Sequence, residues 1–518
     1  MTIFKAWKHN GKELEGSTDA TERIPHPLVS LISFVVLAVT LTFIVRCFGA
    51  DSLAGASQVA LLFSASLAAT IAMVFYRTPF SKLENAISAN IKTIGSAIII
   101  LLLIGAIAGS WMISGIVPTM IYYGLQVISP AIFLFAVCLI CALVAIMTGS
   151  SWSTIATIGV ALIGIGMALG YSTGWTAGAI ISGAYFGDKI SPLSDTTVLA
   201  SSTNEVPLFE HIRYMLITTV PSMSIACIVF LIASLTHDNN SIATSEEFST
   251  ALQSSFNISL WLLLVPALTL VLIIRRAPAL LILFISALAA GIAALIAQPE
   301  TVAGIGGAEG PACTADYFRG ILITFYGDTS VNTGSEVLDS LVQTHGMNGM
   351  LSTIFLIVCA ASFGGVMAGS GMIASITNAL TRKISGRTAT VGATVSTGIF
   401  SNMITGDQFL SIILSSSLFK KLYRDKEFEA RLLSRSVEDS ATITSVLIPW
   451  NSCGMTQSTV LKVATLDYLP YCIFNLISPV MSIIAAATGY KIYRACPTGD
   501  GGSDDNALKP DEESVLTQ

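Results

Sequence analysis

Runs of about twenty predominantly apolar residues recur along almost the whole chain, and nothing else in the sequence limits its folding so strongly. A helix needs about 20 such residues to cross the hydrocarbon core of a bilayer. Candidate segments lie near 28–48, 57–76, 94–113, 130–147, 155–171, 174–201, 212–236, 257–274, 278–297, 350–368, 388–404, 405–419, 436–460 and 468–489. Only 11% of the 518 residues are charged, whereas soluble domains carry about 25%. Seventeen of those charges fall in the first 24 and last 28 residues. The expected fold is therefore an all-α polytopic membrane protein with about 10–14 membrane segments.

Loop charges orient the segments, because basic residues favour the cytoplasmic side. The N-terminal tail, the 77–92 loop, Arg275 with Arg276, the 382–387 and 420–435 loops, and Lys491 with Arg494 read as inside. The uncharged 117–129 loop and the acidic 237–256 loop read as outside. Both termini are thus expected in the cytoplasm of a multi-pass inner or plasma membrane protein. The polar N-terminus, with Lys5, Lys8, Lys12 and Arg23, does not read as a cleaved signal peptide. The acidic C-terminal tail and a net charge of -6 point to no nucleic-acid partner. Cys138 and Cys141 form a C-x-x-C inside an apolar run, where small packing residues are expected rather than a metal or redox pair.

Shifting the sequence by 257 positions superposes its polar landmarks. Thr148-Gly149 falls on Thr405-Gly406, Pro192 on Pro449, Glu210 on Asp467 and Tyr214 on Tyr471. Nearly the same shift pairs Ser114-Gly115 with Ser370-Gly371 and Leu83-Glu84 with Leu338-Asp339. The organisation expected is a tail (1–27), N-terminal helices (28–77), a first membrane repeat (78–236), a connecting stretch (237–328), a second repeat (329–489) and an acidic tail (490–518). Equivalent loops carry opposite charge character: basic 77–92 matches acidic 328–340, and uncharged 164–174 matches basic 420–435. Two inverted-topology repeats are expected, an arrangement used by transporters that alternate between inward-open and outward-open shapes.

Three polar stretches interrupt the apolar segments. The first is GDKISPLSDTT at 187–197; the second is SNMITGDQ at 401–408, matched in the first repeat by TGSSWST at 148–154. The third runs from Glu438-Asp439-Ser440 to Pro449-Trp450-Asn451 and duplicates the first. Unsatisfied polar groups in hydrocarbon cost several kcal/mol, so these residues must line a protein cavity. Carboxylates, hydroxyls and carbonyls freed at helix breaks suit a hard cation, and Pro192, Pro449, Gly149 and Gly406 supply discontinuous or re-entrant helices. The candidate cation ligands are Thr148, Asp188, Ser194, Asp195, Thr196, Asn402, Thr405, Asp407, Glu438, Asp439 and Asn451. A carboxylate sheltered from water can be neutralised by a proton or by sodium, so the two compete for one site. A carrier that reorients only when neutralised is an antiporter.

Plainer roles stand beside these. Asp188 could pair with Lys189, Asp195 could cap the next half-helix, and Glu438 or Asp439 could neutralise Arg435. Glu84 and Asp339 read as solvated, and Tyr214, Tyr471 and the tryptophans as packing or interfacial anchors. The apolar segments contain no deep Arg, and Lys189 is the only basic residue expected in the polar core, which favours an inorganic cation over an organic acid.

The stretches GDKISPLSDTTVLAS (187–201), SNMITGDQF (401–409) and EDSATITSVLIPWNSCG (438–454) resemble the NhaC-type sodium/proton antiporters of the ion transporter superfamily. The resemblance implies a secondary active transporter, not an enzyme, that exports sodium against inward proton flow; relatives exchange malate or lactate with sodium and protons, the alternative kept here. It implies no cofactor beyond the transported ions. The partners expected are sodium ions, protons and lipid, with a homodimer as an open option.

Overall fold

The computed structural model describes residues 25–48, 55–236, 242–275, 277–308, 310–334, 336–381, 384–494 and 509–510. The N-terminal tail, the start of the acidic 237–256 loop, Arg276, Arg382, Lys383 and most of the C-terminal tail lie outside the described residues. The chain is nearly all helix, and among the described residues the only strand ladder is a two-residue pairing of Tyr493–Arg494 with Lys509–Pro510.

Among the described residues, eight helices are long and apolar enough to cross a membrane, from Pro27–Phe48 to Gly346–Gly369, and counting each of two bent pairs as one span brings the number up to ten. The helices Thr173–Ile190, Arg387–Thr405 and Gln408–Asp425 have the length but not the apolarity. These helices carry the polar stretches, and their polarity is tolerable because it is turned inward. Ser182, Lys189, Thr394, Asn402, Ser411 and Ser415 are all fully buried. The outer helices show the reverse pattern, with Leu281, Phe284, Leu288 and Ile292 of Ala279–Ala297 exposed on one face. A bilayer covers such a face at no hydrophobic cost.

Close helix packing around the centre depends on small residues. A Cβ at Gly183 would sit 2.1 Å from the Cys138 carbonyl oxygen, and one at Gly187 2.3 Å from that of Ala142. Helix Thr173–Ile190 therefore lies backbone to backbone against Phe133–Thr148, the geometry that small-xxx-small spacing permits. Cys138 and Cys141 are buried in this seam. No cluster of metal-binding side chains occurs among the described residues.

Of the two acids expected to be solvated, Glu84 faces out and Asp339 is half-buried. The Thr333 hydroxyl and N–H donate to Asp339 and hold its carboxyl below the usual range.

Candidate cation site at the broken helices

Two helix breaks form the centre, and they share a local design at the 257-residue offset. Helix Phe133–Thr148 ends at Gly149 (φ 66°) and Arg387–Thr405 ends at Gly406 (φ 65°), both left-handed. The next residue caps the following helix in each case. Ser150 Oγ accepts from the Ser153 N–H at 3.2 Å, and Asp407 Oδ1 from the Leu410 N–H at 3.0 Å. Thr148 Oγ1 donates to the Ser150 carbonyl (3.1 Å) and lies 3.2 Å from Thr154 Oγ1; Thr405 Oγ1 donates to the Asp407 carbonyl (3.0 Å) and lies 3.0 Å from Ser411 Oγ.

The proline-containing breaks match as well. Thr173–Ile190 stops, and Ser194 caps Asp195–Thr203. The second helix, Ala430–Val437, widens into a π turn at Glu438–Thr442; after a short 3-10 turn, Asn451 caps Ser452–Leu461. The last carbonyls of each first half need donors. Thr197 Oγ1 donates to the Lys189 carbonyl at 3.0 Å, and the Tyr468 hydroxyl donates to the Val446 carbonyl, the equivalent position, at 2.8 Å.

Five candidate ligands meet in one cavity of about 330 Å³: Thr148, Asp188, Ser194, Asp195 and Thr196, with Gln408 entering from the second half. Trp152 and Phe409 complete aromatic parts of the wall. Asp188 is buried, and one of its oxygens accepts from both the N–H (3.1 Å) and the hydroxyl (2.7 Å) of Ser151. That places the carboxylate at the N-terminus of helix Ser151–Ala168, where free N–H groups favour negative charge. Asp195 lines the same cavity but is exposed, because it occupies the first turn beyond the break. Sheltering of all five carboxylates does not hold for this one.

The second break holds Asn402, Thr405, Asp407 and Asn451 in a more compact cluster. Asn451 Nδ2 donates to the Asn402 carbonyl (3.3 Å), and Ser452 Oγ to Asp407 (3.4 Å). The acid has changed places: Asp195 corresponds to Ser452, and Ser150 to Asp407. Capping, which Asp195 was free to perform, is done by Asp407, while Ser194 caps the helix that Asp195 begins.

Glu438 and Asp439 lie deep in the π turn and do not line the cavity. Asp439 is ion-paired with Lys189, both fully buried. It also accepts from Thr218 (2.9 Å) and Ser478 (3.2 Å). The pairing of Asp188 with Lys189 and of Asp439 with Arg435 therefore does not occur. Glu438 is fully buried with neither oxygen hydrogen-bonded, and it feels the charges of Lys189 and Asp188.

The expectation that the core has no deep Arg is corrected. Arg435 is completely buried, with its guanidinium 4.7 Å from the Tyr214 ring centroid, and Arg387 is buried with Nε donating to the Ala486 carbonyl. Sequence reading assigned Arg435 to a charged loop; the helix Ala430–Val437 instead turns that side chain inward. Lys189 and Thr218 were the partners that reading could not supply, since they are 250 and 221 residues from Asp439.

Comparison with known proteins covers most of the chain. The chain is 39% identical to the Na+/H+ antiporter NhaC of Alkalihalophilus pseudofirmus over 415 residues, 80% of this chain and 87% of that protein. It is 34% identical to NhaC of Bacillus subtilis over 425 residues (82% and 90%), and 33% identical to the malate-2H+/Na+-lactate antiporter of the same organism over 416 (80% and 86%). A profile described as the Na+/H+ antiporter family matches residues 13–204 and 183–490. With both halves of the membrane core and all three polar stretches inside those matches, the chain belongs to the Na+/H+ antiporter family.

Proposed function

We propose that this protein is a secondary active Na+/H+ antiporter of the cytoplasmic membrane, exporting sodium in exchange for inward-moving protons. The observation that carries the reading is the cavity at the first break: two carboxylates, Asp188 and Asp195, with the hydroxyl residues Thr148, Ser194 and Thr196, and, among the described residues, no Lys, Arg or His in its wall. A hard cation finds oxygen ligands there, and protons compete for the same carboxylates. Once neutralised by either ion, the site loses most of the cost of moving charge through a low-dielectric barrier. The Lys189–Asp439 pair carries its own neutralisation and is a fixed support beneath the site rather than an exchanging group.

The halves are taken to run in opposite directions, as their loop charges require, with both termini cytoplasmic. The cation site is then opened to one side of the membrane and afterwards to the other as the two halves exchange shapes.

An organic-acid exchange like that named for the Bacillus subtilis relative is the second reading. It needs a basic group at the substrate, and none lines the cavity among the described residues; Lys189 is committed to Asp439. Sodium-induced proton movement, followed by dequenching of a pH dye in vesicles, tests the first reading. Asp188→Asn and Asp195→Asn are each expected to abolish the signal, and acidification is expected to weaken sodium uptake. Full activity in both variants, or labelled malate uptake without sodium-driven proton movement, would overturn it.

A further inference from the structure

A second cavity of about 560 Å³, sharing no lining residue with the cation cavity, opens at the start of the long helix Leu208–Leu235. Three cationic side chains, Arg213, Arg431 and Lys491, border it against one acid, Glu210. Arg431 is already held, by Glu429 at 2.5 Å and Glu210 at 3.1 Å. Arg213 and Lys491 are exposed and make no ion pair among the described residues.

The wall between this cavity and the interior is Tyr214. Its ring lies 4.9 Å from the Arg431 guanidinium and 4.7 Å from that of Arg435, and its hydroxyl donates to the Lys491 carbonyl at 3.0 Å. Arg435 is fully buried, and none of its three guanidinium nitrogens has a hydrogen-bond partner. A buried cation without a counter-charge is costly, and an anion nearby would offset part of that cost.

The surroundings identify the anion's carrier. Phe209, Arg213, Leu216, Val220, Ser224, Ile228 and Ile232 are all exposed and follow one another three or four residues apart along the helix. Arg213 is the only charge in that apolar stripe, near its end and beside the cavity. We propose that the cavity is a binding site for the headgroup of an anionic phospholipid, whose phosphate is held by Arg213 and Lys491 and whose acyl chains lie along the stripe. Basic side chains beside an apolar membrane face are suited to such lipids, each contributing attraction to the anionic group.

Native mass spectrometry of the purified full-length protein, titrated with phosphatidylglycerol or phosphatidylcholine, tests the assignment. The wild type is expected to retain phosphatidylglycerol in preference to phosphatidylcholine. R213A/K491A is expected to lower that preference on the order of tenfold, while a charge-matched control on the exposed last turns of helix Gln408–Asp425, K421A/R424A, keeps it. R213A/K491A is expected to show wild-type sodium-driven proton movement in phosphatidylcholine vesicles, which establishes that it is folded. Absence of any preference in the wild type, or an equal loss in both double variants, would overturn the site. Displacement of phosphatidylglycerol by millimolar inorganic phosphate would overturn the lipid assignment in favour of a soluble anion.

Discussion

Lys189 and Asp439 show how far a single residue's role depends on a neighbour distant in sequence. Each is charged and completely buried, and each is tolerable only because the other is there. Removing one partner leaves an uncompensated charge in the interior, which costs roughly 3–5 kcal/mol. Lys189→Ala is therefore expected to lower the thermal unfolding midpoint sharply in detergent. The neutral pair Lys189→Met with Asp439→Asn is expected to recover most of that loss. Equal destabilisation by the single and the double variant would show that the pair is not what holds these residues. Ionisable residues in apolar context were visible from composition and spacing as expensive and hence meaningful. Which acid meets which base was not visible, because Asp188 is adjacent to Lys189 in sequence yet turns to Ser151 instead.

At the scale of elements, the breaks at Pro192 and Pro449 were legible because proline and clustered polar residues cannot continue a lipid-exposed helix. The cap positions followed less directly. Asp195, Ser194, Asp407 and Ser150 are all chemically able to cap, and the three that do, Ser150, Ser194 and Asp407, are those that take extended backbone at the helix start. The donors that satisfy the broken ends are more hidden still. The Lys189 and Val446 carbonyls occupy equivalent positions, yet one receives a threonine from the adjoining half-helix and the other a tyrosine 22 residues on. Thr197→Val and Tyr468→Phe each leave a buried carbonyl short of a donor and are expected to cost about 1–3 kcal/mol. Chemical denaturation in detergent reads this directly, and no loss in either variant would mean that water takes the donor's place. The π turn at Glu438–Thr442 had no signal in the sequence at all, since it is one extra residue accommodated in the helix rather than a change of composition.

For the whole molecule, the proposed opposite orientation of the halves makes a prediction that does not depend on any ligand. Gly170 and Glu427, equivalent at the 257-residue offset, both have left-handed backbone (φ 74° and 58°) at the ends of equivalent helices. If the halves are inverted, these two turns lie on opposite faces of the membrane. A membrane-impermeant thiol reagent is expected to label Ser172→Cys from outside whole cells and Glu427→Cys only after the cells are opened. Labelling of both from one side would exclude inversion.

Membrane class, helical architecture and the positions of the breaks follow from the chain alone. Each rests on a local rule: apolar length, the cost of unsatisfied polar groups in lipid, and the conformational limits of proline and glycine. Tertiary structure alone decided that Asp439 is held by Lys189, that Asp407 caps a helix while Asp195 stays open at the cavity, and that Arg435 is buried behind Tyr214. For the Lys189–Asp439 pair and for Arg435 behind Tyr214 the physical reason is the same: a polar group's partner inside the bundle is selected by three-dimensional proximity across hundreds of residues, and sequence spacing carries no measure of that distance.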